Sequence, residues 1–226
     1  ALELVTGSWV ALMDHDDLLS EDALLWVAEC VRDHPDARLI YTDEDKIDDK
    51  GRRSDPYFKP DWNLDLFRSH NMFSHLGLLR ADLIREVGGF RTGMEGAQDW
   101  DLALRVTEKL QDRQIGHIPK VLYHWRMIAG STATAAAEKS YAHLAGMRCV
   151  QEHLDRIGSG AKVHETEGSG YFQIVHPLPD PAPLVSLLIP TRDRIDLLKQ
   201  CIDSILERTE YPAYEIIVID NDSQEQ

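Results

Sequence analysis

The stretch Trp9-Val10-Ala11-Leu12-Met13-Asp14-His15-Asp16-Asp17 decides the fold. Five consecutive apolar residues suit a strand buried on both faces, as in the parallel sheets of α/β proteins. The run ends directly in acidic residues, and in open α/β sheets ligands gather beyond the carboxyl ends of the strands. Ser20 then caps a helix in which Leu24, Val27, Ala28 and Val31 recur at helical spacing. Glu21 and Asp22 favour its first turn, and Pro35 ends it. Residues 39–42 read as a second strand, and Asp48-Asp49-Lys50-Gly51 as a tight turn.

Further along, residues 56–76 are polar and aromatic with little periodicity and are expected as an ordered loop. A short helix near 81–87 closes on Gly88-Gly89, and a helix near 98–110 carries Leu102, Val106 and Leu110 on one face. Short strands are expected at 115–118 and 121–123, then a long amphipathic helix over 136–157 stopped by Gly158-Ser159-Gly160. Prolines at 177, 179, 181 and 183 mark a boundary. Beyond it the pattern restarts as strand, helix, strand over 184–189, 195–207 and 215–219. The expected class is α/β, a mostly parallel sheet flanked by helices. The expected division is a first domain over 1–157, a linker over 158–183 and a second domain opening at 184–226.

Composition narrows the function classes. The 226 residues are 43% apolar and 28% charged, ordinary for a folded chain. No apolar run approaches the roughly 18 residues of a membrane helix. A net charge of −15 argues against a nucleic-acid partner, which needs a basic footprint. Such acidity by itself is a solvated surface, but an acidic protein handling an anionic ligand needs a cation between them. Cys30, Cys149 and Cys201 lie far apart without metal-ligand spacing, as in a reducing compartment.

Three patterns, taken together and in order, resemble the family 2 glycosyltransferases. Asp14-His15-Asp16-Asp17 after a buried strand is similar to that family's DxD motif. Glu95-Gly96-Ala97-Gln98-Asp99-Trp100-Asp101 at a helix start resembles its acceptor-side acidic motif. Tyr123-His124-Trp125-Arg126 with Gly130-Ser131-Thr132-Ala133 resembles the segment that closes over the donor diphosphate. A fourth pattern lies beyond the prolines. Residues 185–193 and 216–223 look like the first two strands of another such domain, whose ends hold the nucleoside. The resemblance thus implies the later part of one transferase domain joined to the start of a second, as in tandem enzymes of bacterial surface polysaccharides.

What the resemblance implies for chemistry follows residue by residue. A GT-A-type fold would take a nucleotide-diphosphate sugar donor, a carbohydrate or lipid-linked acceptor and a divalent cation, manganese or magnesium. Asp14 would meet the ribose, Asp16 the metal, and Asp17 would support them; the bland reading is a solvated helix cap at Ser20. Asp99 would be the general base of an inverting displacement, against a plain helix-capping role. Gln98 stands where the family often has Glu. His124 would add a metal ligand, which manganese accepts more readily than magnesium; an isolated His is otherwise a satisfied polar group. Arg126 would pair with phosphate oxygens or form a surface ion pair. Trp62, Trp100 and Trp125 would stack on sugar or acceptor, or simply fill core. Asp43-Glu44-Asp45 beside Lys46 reads as a polar loop. Pro190, Thr191, Asp193, Asp220 and Asn221 resemble a nucleoside pocket, with Arg192 where the family often places Tyr. The implied location is cytoplasmic, with peripheral association at the inner face of a membrane left open.

Two rival classes stand beside this one. A catalytically silent nucleotide- or carbohydrate-binding module would keep the fold only, and the intact Asp14, Asp16 and Asp99 speak against it. A nucleotidyltransferase would want a Gly-rich basic loop ahead of its acidic site, which these residues lack. One architectural expectation is specific. If residues 9–13 form an interior strand, residues 184–226 should dock with 185–189 parallel to them, giving a permuted sheet with Pro190, Thr191, Asp220 and Asn221 facing Asp14 and Asp16.

Overall fold

The computed structural model describes residues 2–127, 136–166 and 170–224. The chain divides into two compact units, residues 1–176 and 177–226. The first holds a six-stranded sheet made of β1 (Trp9–Leu12), β2 (Leu18–Leu19), β3 (Leu39–Ile47), β4 (Arg53–Tyr57), β5 (Gly77–Arg80) and β6 (Ile115–Arg126), in the order β1-β5-β3-β6-β2 with β4 on β3. Five helices accompany it: α1 (Ala23–Asp33), α2 (Leu64–Ser69), α3 (Ala81–Glu86), α4 (Gln98–Thr107) and α5 (Ala136–Arg156).

The alternation of β3 explains the layering. Leu39 and Tyr41 join the core built with Trp100, Leu102, Val106 and Cys149 of α4 and α5. Ile40, between them, joins a second core with Ala23 and Val27 of α1 and Leu122 of β6. A strand whose successive side chains point to opposite faces can serve both layers. Gly146 lets α5 settle closely: a Cβ there would lie 3.2 Å from the Trp100 ring and 3.3 Å from Phe172.

The α/β class holds, but the strand directions do not. In the first unit only β3 and β6 run parallel; β1–β5, β3–β5, β3–β4 and β2–β6 are antiparallel. Apolar runs carry burial but not direction, and the tight turn at Asp48–Gly51, where Gly51 donates to Asp48 O at 3.1 Å, forces a hairpin between β3 and β4. β1 is also less buried than its sequence suggests, with Ala11 exposed and Met13 47% exposed.

The permuted sheet does not form. The second unit contains β9 (Val185–Thr191), α6 (Ile195–Arg208) and β10 (Tyr214–Asp220). β9 pairs in parallel with β10 over seven residues, while β1 takes β5 as its ladder partner. The right partner for an apolar strand was the neighbouring strand of its own βαβ unit. Finally, residues 158–183, expected as linker, include β7 (Lys162–Glu165) and β8 (Phe172–Val175), an antiparallel pair that belongs to the first unit.

Candidate functional site

Asp14, Asp17 and His75 form one cluster, with ligand-capable atoms all within 4.8 Å of one another. The turn after β1 supplies the two carboxylates, and the segment before β5 supplies the imidazole. Asp17 is buried because its two oxygens are both used: the Arg126 backbone N–H donates to Oδ1 at 2.8 Å and the Tyr123 hydroxyl donates to Oδ2. Burial raises its pKa, with those two hydrogen bonds opposing. Asp14 is more open, and hydrogen bonding to His75 holds its carboxyl below the usual range. The Tyr123 hydroxyl also accepts from the Asp14 backbone N–H at 3.2 Å, so one phenol ties both ends of the acidic turn.

His75 is the electrostatic centre. Its ring stacks on Tyr123 at 4.7 Å, with Nε2 3.6 Å from Asp14 and Nδ1 3.5 Å from Glu44. Burial disfavours its charge, but hydrogen bonds to Asp14 and Glu44, with the charges of Glu44 and Asp99, raise its pKa to about 9. Behind it lies Lys59, whose side chain is fully buried and whose Nζ donates to the His75 carbonyl at 2.8 Å. Burial pulls the Lys59 pKa down to about 8, with Glu44 opposing.

Asp99 sits in the first turn of α4, with one oxygen engaged twice. Asn71 Nδ2 donates to Oδ2 at 2.9 Å and the Ser74 hydroxyl donates to the same atom. Among the described residues no hydrogen bond is donated to Oδ1. Ser74, which donates to Asp99, directly precedes His75, so the acidic turn and the base candidate belong to one region.

Other expected residues fall elsewhere. The Asp16 carboxylate faces His15 at 3.7 Å and is outside the three-residue cluster, while its carbonyl accepts from Arg126 Nε at 2.5 Å. Arg126 therefore clamps the acidic turn through its backbone N–H and its Nε. His124 is turned to Asp45, with Nδ1 2.6 Å from Oδ1, and is not among the clustered ligands. Gln98 accepts from the Gly96 N–H at 2.7 Å, which ties the loop to the start of α4. Trp100, expected on substrate, is a core side chain: it is buried, donates to the Phe67 carbonyl at 2.9 Å and stacks on Phe172. Trp62 packs against Phe67 at 5.0 Å and Trp125 lies 6.1 Å from His75. Gly130-Ser131-Thr132-Ala133 lies outside the described residues.

The acids expected as a polar loop lie on β3, and each meets a histidine. Asp43 is 2.9 Å from His117, Glu44 is 3.5 Å from His75 and Asp45 is 2.6 Å from His124. His75 and Glu44 are the functional candidates that sequence reasoning missed. Their only signal was an acidic run inside an apolar strand pattern, which a solvated loop explains equally well.

In the second unit the expected nucleoside residues do gather at the strand ends. Thr191 is in register with Asp220, and the Asn221 N–H donates to the Thr191 carbonyl at 2.8 Å. Ser223 Oγ accepts from the Asp193 N–H at 2.8 Å and donates to Asp220 at 2.5 Å; Pro190 pairs with Ile219. These residues lie at or just beyond the carboxyl ends of two parallel strands.

The carboxylates of Asp14 and Asp17 fit a hard divalent cation, and His75 could join them only by giving up the proton that its raised pKa retains. Asp14 and Asp17 would hold the cation.

Comparison with known proteins bears on the whole chain. Residues 186–226 match the sequence model of Glycosyl transferase family 2. The chain is 49% identical to "Uncharacterized protein y4gI" of Sinorhizobium fredii (strain NBRC 101917 / NGR234), over all of this chain and 25% of that protein. It is 40% identical to "O-antigen biosynthesis protein RfbC" of Myxococcus xanthus, over 96% of this chain and 17% of that protein. It is 25% identical to "Chondroitin synthase" of Escherichia coli, over 70% of this chain and 22% of that protein. The chain thus spans a quarter or less of the length of these curated relatives. By these matches residues 186–226 are similar to family 2 glycosyltransferases, and nearly the whole chain is similar to part of a protein named for O-antigen biosynthesis.

Proposed function

We propose that the first unit carries the metal-and-acceptor half of an inverting sugar-transfer site. It would use a nucleotide-diphosphate sugar as donor and a carbohydrate or lipid-linked acceptor. The observation that carries this is the pairing of two differently dressed acidic sites. Asp14, Asp17 and His75 gather at the end of β1, while Asp99 keeps one oxygen open beside them. The relative named for O-antigen biosynthesis supports a role in surface polysaccharide assembly. Among the described residues no helix is long and apolar enough to cross a membrane.

The chemistry is a single displacement. The acceptor hydroxyl attacks the anomeric carbon from the face opposite the diphosphate, and its proton passes to Asp99 Oδ1. The bond between the anomeric carbon and the diphosphate oxygen breaks, and its electron pair leaves with the nucleoside diphosphate. Asp14 and Asp17 would hold a divalent cation, which would supply Lewis-acid neutralisation of that leaving charge. Asn71 and Ser74 fix the orientation of Asp99, and Tyr123 and Arg126 hold the acidic turn in shape. The residues at the ends of β9 and β10 would bind the nucleoside of a second transferase domain.

The deciding experiment is a transfer and donor-hydrolysis screen of the full chain over a panel of nucleotide sugars, with manganese and with chelator. Turnover of one donor that chelator abolishes supports the proposal. Tight nucleotide-sugar binding with no turnover on any acceptor would favour the silent binding module instead.

A further inference from the structure

The hairpin of β7 and β8 has a consequence for the acceptor. Its alternation buries Phe172, which stacks in parallel on Trp100 at 5.6 Å, and turns Tyr171 outward, 40% exposed. The Ser69 hydroxyl donates to the Phe172 carbonyl at 2.5 Å and pins the hairpin to the end of α2. Tyr171 then lies 4.8 Å from His70, and His70 lies 5.9 Å from Tyr57. Three rings form a row that belongs to neither apolar core.

This row is tied to the surroundings of the base candidate at two points. His70 directly precedes Asn71, which donates to Asp99. Phe172, next to Tyr171, stacks on Trp100, the residue after Asp99. Glu44 lies opposite Tyr57 in the β3–β4 ladder. Aromatic faces pack against the C–H faces of pyranose rings, and neighbouring carboxylates accept sugar hydroxyls while repelling anions. From this juxtaposition we propose that Tyr171, backed by His70 and Tyr57, is a stacking platform for a neutral pyranose unit of the acceptor.

The inference rests on the sugar-transfer reading of Asp99, and its test separates the two. Saturation-transfer NMR on the full chain uses methyl β-D-glucopyranoside, methyl N-acetyl-β-D-glucosaminide and methyl β-D-glucuronide as probes. Calorimetry with UDP and manganese reads the donor side independently. The neutral glycosides should receive saturation on their ring protons. Tyr171→Ala should weaken that binding roughly tenfold, and Tyr171→Phe should keep it. The glucuronide should be the weakest ligand, and nucleotide binding and the thermal midpoint should not move in Tyr171→Ala. The proposal is overturned if no glycoside binds the folded chain, if Tyr171→Ala binds as well as the parent, or if the glucuronide binds best. Failure of UDP binding alone counts against the donor reading and leaves the platform standing.

Discussion

Asp99 carries two donated hydrogen bonds on Oδ2 and none on Oδ1 among the described residues, an asymmetry with a kinetic consequence. A carboxylate fixed at one oxygen presents the other in a single orientation, so the loss of a donor should cost turnover rather than donor affinity. Ser74→Ala should lower kcat about tenfold with the donor KM unchanged, the size expected for one hydrogen bond to a charged group. Ser74→Thr, which keeps the hydroxyl, should recover most of the loss. A fall in thermal midpoint with kcat unchanged would make Ser74 a structural residue only. The same scale shows why His75 was hidden. Its partners Asp14 and Glu44 lie 61 and 31 residues away in the sequence, and no periodic pattern joins them. Asp14, Asp17 and Asp99 could be singled out as candidates because each sits near an element boundary that sequence does mark.

At the scale of elements, α4 is held by a buried charge cluster. Asp101 accepts from Arg105 Nη2 at 2.7 Å and from Arg91 Nε at 3.1 Å, while Arg105 also donates to the carbonyls of Val87 and Gly89, each at 2.6 Å. Asp101→Asn would leave Arg105 buried with its charge unbalanced, at a cost of about 3–5 kcal/mol. Burial alone would raise the Asp101 pKa, but the two arginines outweigh it and hold the carboxyl below its ordinary 3.8. Its contribution is therefore complete above that value and is lost as pH falls through the folded value. Thermal melts at pH 7 should show the full gap between parent and variant, and melts below about pH 3 a smaller one. An equal gap at both would detach the effect from the carboxylate. The helices α1, α4 and α5 were legible because their apolar residues repeat at helical spacing. β3 was cut short in the reading because Asp43, Glu44 and Asp45 look like solvated acids until distant histidines cover them. β7 and β8 were missed because glycines and prolines flank strands of only four residues.

For the whole molecule, the described strands of each unit pair within that unit. Residues 2–176 expressed alone should keep a cooperative thermal transition, followed by circular dichroism. Loss of cooperativity would mean that the first fold needs residues 177–226. The βαβ character of the second unit was legible from two apolar runs around an amphipathic helix. Its pairing was not, because an apolar strand has no local feature that selects between two compatible partners. The account's central claim is that Asp99 takes the acceptor's proton beside a cation site at Asp14 and Asp17. The most direct test is steady-state transfer by the full chain and its Asp99→Asn variant, with the donor identified and manganese saturating. The account expects kcat to fall by roughly two or more orders of magnitude with the donor KM and the thermal midpoint unchanged. Near-normal kcat in Asp99→Asn would contradict it.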